Sequence, residues 1–270
     1  MHGFGGIAGM VSLIESEVVS KKGWITPEHY LDVVGTTNLI PGPNSVEIIM
    51  HCAREKGGRA GLIIGGIMYI LPAMFICMLW AYLYVKFGHL PNVQPFLYGI
   101  RPATTAIIVG TIFRLSKSVF KQVNIAVISL IVLIGSLCGL NDVLLLFAAG
   151  ISGTVYLNRK RLFSWFPFSF LFINTPLSKL FFIFLKIGAI LYGSGYVLFA
   201  YMDDALVKNN HWLTRQQLTD AISVGQITPG PILSSATFAG YLINGTSGAI
   251  VATIGIFLPS FFISFFFFAY

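Results

Sequence analysis

Leu39-Ile40-Pro41-Gly42-Pro43-Asn44-Ser45 and, further along, Ile227-Thr228-Pro229-Gly230-Pro231-Ile232 are the two stretches that decide the fold of this chain. Each puts Pro-Gly-Pro inside an apolar segment. Proline removes a backbone donor and clashes with the preceding helical turn, and glycine loosens what remains, so a continuous helix through either stretch is improbable. The two belong to one duplicated pattern. At the offset that carries Pro41 onto Pro229, Gly5 meets Gly193, Trp24 meets Trp212, Thr26 meets Thr214 and Asp32 meets Asp220. Asn38 meets Gln226, a primary amide three residues ahead of each turn. After a one-residue deletion, Gly61 meets Gly248 and Leu71-Pro72 meets Leu258-Pro259. Two copies of a segment that breaks its own helix are the mark of a transporter built on internal repeats.

Composition places the whole chain in a bilayer. Mean hydropathy is +0.80, and 56% of the 270 residues are hydrophobic against 10% charged, outside the range of soluble domains. Charge-poor runs occupy residues 60–85, 96–113, 123–140, 143–157, 177–202 and 248–270. A hydrocarbon core about 30 Å thick asks for about 20 such residues per crossing. The net charge of +7 lies in short loops, at Arg54, Lys56 and Arg59, at Arg114, Lys117 and Lys121, and at Arg159, Lys160 and Arg161. That distribution orients a membrane protein and offers no face to nucleic acid. The three cysteines have no paired spacing and read as packing residues. No nucleotide loop, zinc-ligand spacing or Ser/His/Asp set is present, so the reading contains no enzyme, no metal and no cofactor.

The loop after the first Pro-Gly-Pro arm is basic (Arg54, Lys56, Arg59), whereas its counterpart, residues 242–247, carries no charge. If basic loops stay in the cytoplasm, these equivalent loops lie on opposite sides and the copies are inverted. Placing residues 54–59 inside sends the next four spans alternately out and in and leaves all three basic clusters inside. Residues 162–175, rich in aromatics, read as interfacial. The scheme requires that residues 28–52 dip in and return, each arm being about 18 Å of helix; a kinked full span is the alternative. The expected fold class is therefore an all-α polytopic membrane protein of two inverted-topology repeats, each with a helix-breaking Pro-Gly-Pro re-entrant hairpin. The expected domains are a first repeat at 1–161, a connector at 162–176 and a second repeat at 177–270.

Irregular backbone at membrane depth is tolerated where it is buried or lines a wet cavity. Pro43 and Pro231 can each open a helix, whose N-terminus offers unbonded N–H groups and positive potential to an anion. The candidate binding set is Asn38, Pro41, Gly42, Pro43, Asn44, Lys186, Gln226, Thr228, Pro229, Gly230 and Pro231. Glu47, four residues past the first turn, and Arg101 are candidates for coupling or gating, since ionisable residues within spans are costly. Asp32 and Asp220 read as stabilisers of helix N-termini.

These motifs resemble the chromate transporter family. The resemblance rests on Phe4-Gly5-Gly6, Trp24, Leu39-Ile40-Pro41-Gly42-Pro43-Asn44, Leu71-Pro72 and Leu97-Tyr98-Gly99-Ile100-Arg101-Pro102. In the second copy it rests on Lys186-Ile187-Gly188, Tyr192-Gly193-Ser194-Gly195-Tyr196, Trp212-Leu213-Thr214, Gly225-Gln226-Ile227-Thr228-Pro229-Gly230-Pro231 and Phe257-Leu258-Pro259-Ser260. It implies export of chromate, with sulfate as the related oxyanion, driven by the proton motive force across a bacterial inner membrane. The implied partners are the oxyanion and membrane lipid, with self-association left open. Against the family pattern the chain reads as truncated at both ends: the first copy lacks a counterpart of Lys186, and the second lacks partners for residues 96–157. A passive anion channel, a sulfate uptake protein and an inactive truncated product remain the alternatives.

Overall fold

The computed structural model describes residues 6–37, 42–87, 102, 127, 129–132, 134–135, 176–191 and 197–267. The described residues form helices and connecting turns with no strand, as the all-α expectation requires. Residues 1–104 and 173–270 belong to one compact unit and residues 105–172 to another. Most of the spans expected at 96–113, 123–140 and 143–157, and the interfacial stretch at 162–175, lie outside the described residues.

Helix α1 (Gly6–Glu15) runs into a π-helical stretch (Ser16–Lys21), followed by α2 (Pro27–Thr37) and α3 (Asn44–Phe87). Further along come α4 (Pro176–Ile190), α5 (Val197–Met202), a second π-helical stretch (Asp203–Asn209), α6 (Arg215–Ile227), a 3₁₀ turn (Ile232–Ser234) and α7 (Ser235–Phe267). The crossing expected over 177–202 is not one helix, since α4 ends at Ile190 and Leu191 is already irregular.

Local structure repeats at the offset found in the sequence. The two π-helical stretches correspond, and each hands over to a tryptophan: Trp24 N–H donates to Val18 O (2.9 Å) and Trp212 N–H to Leu206 O (2.8 Å). Thr26 Oγ1 then accepts from His29 N (3.2 Å), as Thr214 Oγ1 accepts from Gln217 N (3.1 Å). The Gln217 side chain returns the bond to Thr214 N, completing a capping box.

Helices α3 and α7 each contain one sharp break. Gly58 (φ 57°, ψ −146°) interrupts α3 and Asn244-Gly245 (Gly245 φ 59°, ψ −149°) interrupts α7. Only glycine adopts these angles without large strain, and the two glycines are counterparts. The chain doubles back at each. Gly61 comes so close to Ala53 O that a methyl group there would collide, and Gly240 and Gly248 approach each other's carbonyl in the same way. A short first arm (44–57 or 235–243) thus lies beside a long second arm (59–87 or 246–267).

Helix α2 also lies alongside the first arm of α3. Tyr30 packs with Ile48 and Cys52, and His29 Nε2 is 3.2 Å from Glu55 Oε1. Low numbers on α2 meet high numbers on the arm, so the chain reverses between them. The second copy behaves alike: Asp220 of α6 and Phe238 of α7 both touch Tyr84.

The long arms are apolar on both faces. Ile250, Ile254, Leu258, Phe262 and Phe266 form an exposed stripe at four-residue spacing on α7, while Ala252, Ile256 and Ser260 face inward. Ile64, Met68, Phe75 and Leu79 are similarly exposed on α3. Both helices are long and apolar enough to cross a bilayer, and an outward stripe of large hydrophobics is what lipid contact demands.

Candidate functional site

The site is built where the two irregular turns meet the long arms. Helix α2 ends at Thr37 and the chain is helical again from Asn44. Pro43 is the capping residue and not the first helical one: its carbonyl accepts from Val46 N (2.8 Å) and Glu47 N (3.2 Å). In the second copy α6 ends at Ile227, and Thr228 closes it with its N–H and its hydroxyl both donated to Val224 O (2.9 and 2.7 Å). Pro231 then caps the 3₁₀ turn, its carbonyl accepting from Ser234 N (2.9 Å). Proline serves here because its missing N–H would have had no intrahelical acceptor.

Each turn is seated on the long arm of the other copy. Gly42 (φ 149°) sits so close that a Cβ would lie 2.6 Å from Ser260 Oγ of α7 and would collide with Glu47 Oε1. Gly230 (φ 134°) sits on α3, where a Cβ would lie 2.7 Å from Ala73 Cβ. Ser260 and Ala73 are the residues directly after Pro259 and Pro72, so the two seatings are counterparts. Side chains reinforce the second: Cys77 Sγ donates to Thr228 Oγ1 at 3.4 Å. Phe261, next to Ser260, packs on Gly66. Ala73 lies seven positions beyond Gly66 on α3, roughly 10 Å of helix.

Of the expected binding residues, Gly42, Pro43, Asn44, Thr228, Gly230 and Pro231 line these two turns, and all but Gly230 are buried. Pro229 is exposed at the tip of the second turn. Gln226 is half-buried, yet its amide oxygen and nitrogen are both enclosed and neither has a hydrogen-bond partner. Lys186 is not brought to the turns. It lies on the exposed side of α4, opposite Phe184 and Gly188, and Gly188 packs against the Ile256 backbone. Asn38, Pro41 and Arg101 lie outside the described residues.

Glu47 is fully buried (0% exposed), and neither carboxylate oxygen has a hydrogen-bond partner. The reading of Asp220 as a helix-end stabiliser is corrected: it is buried in the body of α6 and accepts from Tyr84 Oη at 2.9 Å. Asp32, its counterpart, is exposed. Sequence reasoning also passed over Ser260 and Ser264, both buried with unpartnered hydroxyls. The available signal for Ser260 was its place after the repeated Leu-Pro, where the first copy has alanine.

The chromate transporter family model matches residues 1–154 and 178–270. The chromate transport protein of Cupriavidus metallidurans is 29% identical over 95% of this chain and 68% of its own length. The probable chromate transport protein of Synechococcus elongatus is 26% identical over 95% of this chain and 70% of its own length. That of Pseudomonas aeruginosa is 25% identical over 96% of this chain and 67% of its own length. No solved structure matches the chain at a significant level.

Proposed function

The chain belongs to the chromate transporter family, and from that premise we propose that it is a membrane transporter exporting chromate, or a related tetrahedral oxyanion such as sulfate, by secondary active transport across the cytoplasmic membrane. The observation that carries the site assignment is the reciprocal seating of two interrupted helices on each other's long arms. Each turn presents a helix start to the protein interior. The first amides of a helix have no intrahelical acceptor and sit in positive potential, which suits an oxyanion.

The oxyanion lies between the starts at Pro43 and Pro231. Asn44 and Thr228 stand at the two turns, and the unpartnered Gln226 amide supplies a donor that the protein itself leaves unused. Asn38 and Pro41 belong to the same turn by sequence. Lys186 on α4 contributes by attraction of the dianion, and Arg101 is assigned to gating from its place in the sequence. The helix–turn–helix units at 27–57 and 215–243 are re-entrant hairpins entering from opposite faces, in two inverted repeats. The contrast between the basic loop at Arg54, Lys56 and Arg59 and the uncharged one at 242–247 supports the inversion. Alternating access then follows from rocking one repeat against the other around a fixed site.

Everted membrane vesicles from cells expressing this chain test the reading. Chromate accumulates above the bath concentration when the membrane is energised, and a protonophore abolishes the gradient. Asn44→Ala and Gln226→Ala each lower the initial rate at least about tenfold, the loss expected when a buried donor to a charged group is removed. Equilibration without accumulation, unaffected by the protonophore, identifies a passive channel. Unchanged flux in both variants removes the site assignment.

A further inference from the structure

Two carboxylates are buried among the described residues, Asp220 and Glu47. Asp220 receives the Tyr84 hydroxyl. Glu47 receives no hydrogen bond on either oxygen. Charge is not left bare in a protein interior without something that neutralises it.

The surroundings of Glu47 are rich in oxygen. Ser260 Oγ shares with Glu47 Oε1 the close contact to Gly42, so the backbone of the first turn, the carboxylate and the hydroxyl converge. Ser264 lies one helical turn beyond Ser260 on the same buried side of α7. Both serines are 0% exposed and both hydroxyls lack a partner. Two oxygens of Glu47 and that of Ser260 thus stand unmet beside the first turn, and that of Ser264 lies one turn further along α7. A proton on Glu47 would neutralise it and supply one further donor to hydroxyls that already carry their own. A hard cation draws several oxygens at once. One carboxylate balances one positive charge. No group of three or more His, Cys, Asp or Glu side chains suitable for a metal exists among the described residues, which argues against a divalent or thiophilic ion.

We propose that Glu47 and Ser260, with Ser264 one turn further along α7, bind one monovalent cation such as sodium beside the first turn. The second turn has no such site. Its counterparts of Glu47 and Ser260 are Ser235, whose hydroxyl is already donated to Ile232 O (2.8 Å), and Ala73, which has no side-chain oxygen. Of the two turns, only the first therefore offers this set among the described residues. The assignment stands independently of which anion the protein moves.

Thermal unfolding of the purified full chain in detergent, followed by tryptophan fluorescence, tests it. Sodium chloride is exchanged for choline chloride at constant ionic strength and at constant pH, because His51 is one turn from Glu47 on the same arm and Tyr69 lies on the neighbouring one. Sodium raises the transition temperature saturably by several degrees, and choline does not. Ser260→Ala weakens the apparent sodium affinity at least about tenfold, and Glu47→Gln abolishes the response. If Glu47→Gln does not fold, Ser260→Ala alone decides. A wild-type transition indifferent to sodium but raised by acidification assigns the position to a proton and overturns the proposal. An undiminished sodium response in Ser260→Ala overturns it equally.

Discussion

Glycines at two kinds of position behave differently, and substitution separates them. Gly245 has φ 59° with ψ −149° and open space around it. Alanine there strains the backbone alone, and Gly245→Ala is expected to cost about 1–3 kcal/mol, read as a lowered transition temperature in detergent. Gly57 is helical and equally open, so Gly57→Ala gains up to about 1 kcal/mol of helix propensity. The two glycines are thus opposite in sign, and equal effects would show that the breaks are not where the structure puts them. At this scale the sequence told much of the truth and missed some of it. The Pro-Gly-Pro residues announce a broken helix by their own backbone chemistry. Ser260 does not announce itself, because its role depends on Gly42 reaching it from 218 positions away in the chain. Lys186 is different again: a charge amid apolar residues looks functional, and the structure puts it on the exposed side of α4.

Elements are fixed by their ends and by a few contacts across them. Helix α6 starts at the capping box of Thr214 and Gln217; Thr214→Ala removes an acceptor and is expected to lower stability by about 1 kcal/mol. Helix α6 is tied to the long arm of α3 by Tyr84 and Asp220. Tyr84→Phe removes the donor to a buried carboxylate and should cost about 1–3 kcal/mol. A double-mutant cycle with Asp220→Asn then returns a coupling well above the sum expected of independent sites. The capping threonines were legible, since Thr26 and Thr214 recur in the duplicated pattern. The α6–α3 tie was not, because an aspartate near a helix start has a sufficient local explanation until its tertiary partner is known. Likewise, a charge-poor run over 177–202 shows apolarity but not the end of α4 at Ile190, which hydropathy does not encode.

For the whole molecule, the inverted arrangement makes a direct prediction about sidedness. In a background without the native cysteines, Lys56→Cys and Thr246→Cys occupy equivalent exposed turns. A membrane-impermeant maleimide applied to intact cells labels Thr246→Cys and leaves Lys56→Cys unmodified until the membrane is permeabilised. Labelling of both from one side would overturn the inversion. It is the charge distribution of the sequence that proposes this arrangement, since Lys and Arg record where a loop was left during insertion. What no linear pattern records is that the floor beneath each Pro-Gly-Pro turn is supplied by the other copy, Ser260 for the first and Ala73 for the second. Neither half is therefore self-sufficient. If the gene were cut between the copies, each product would carry a turn with nothing to rest on, and the two would have to be synthesised together and find one another in the lipid before either could mature.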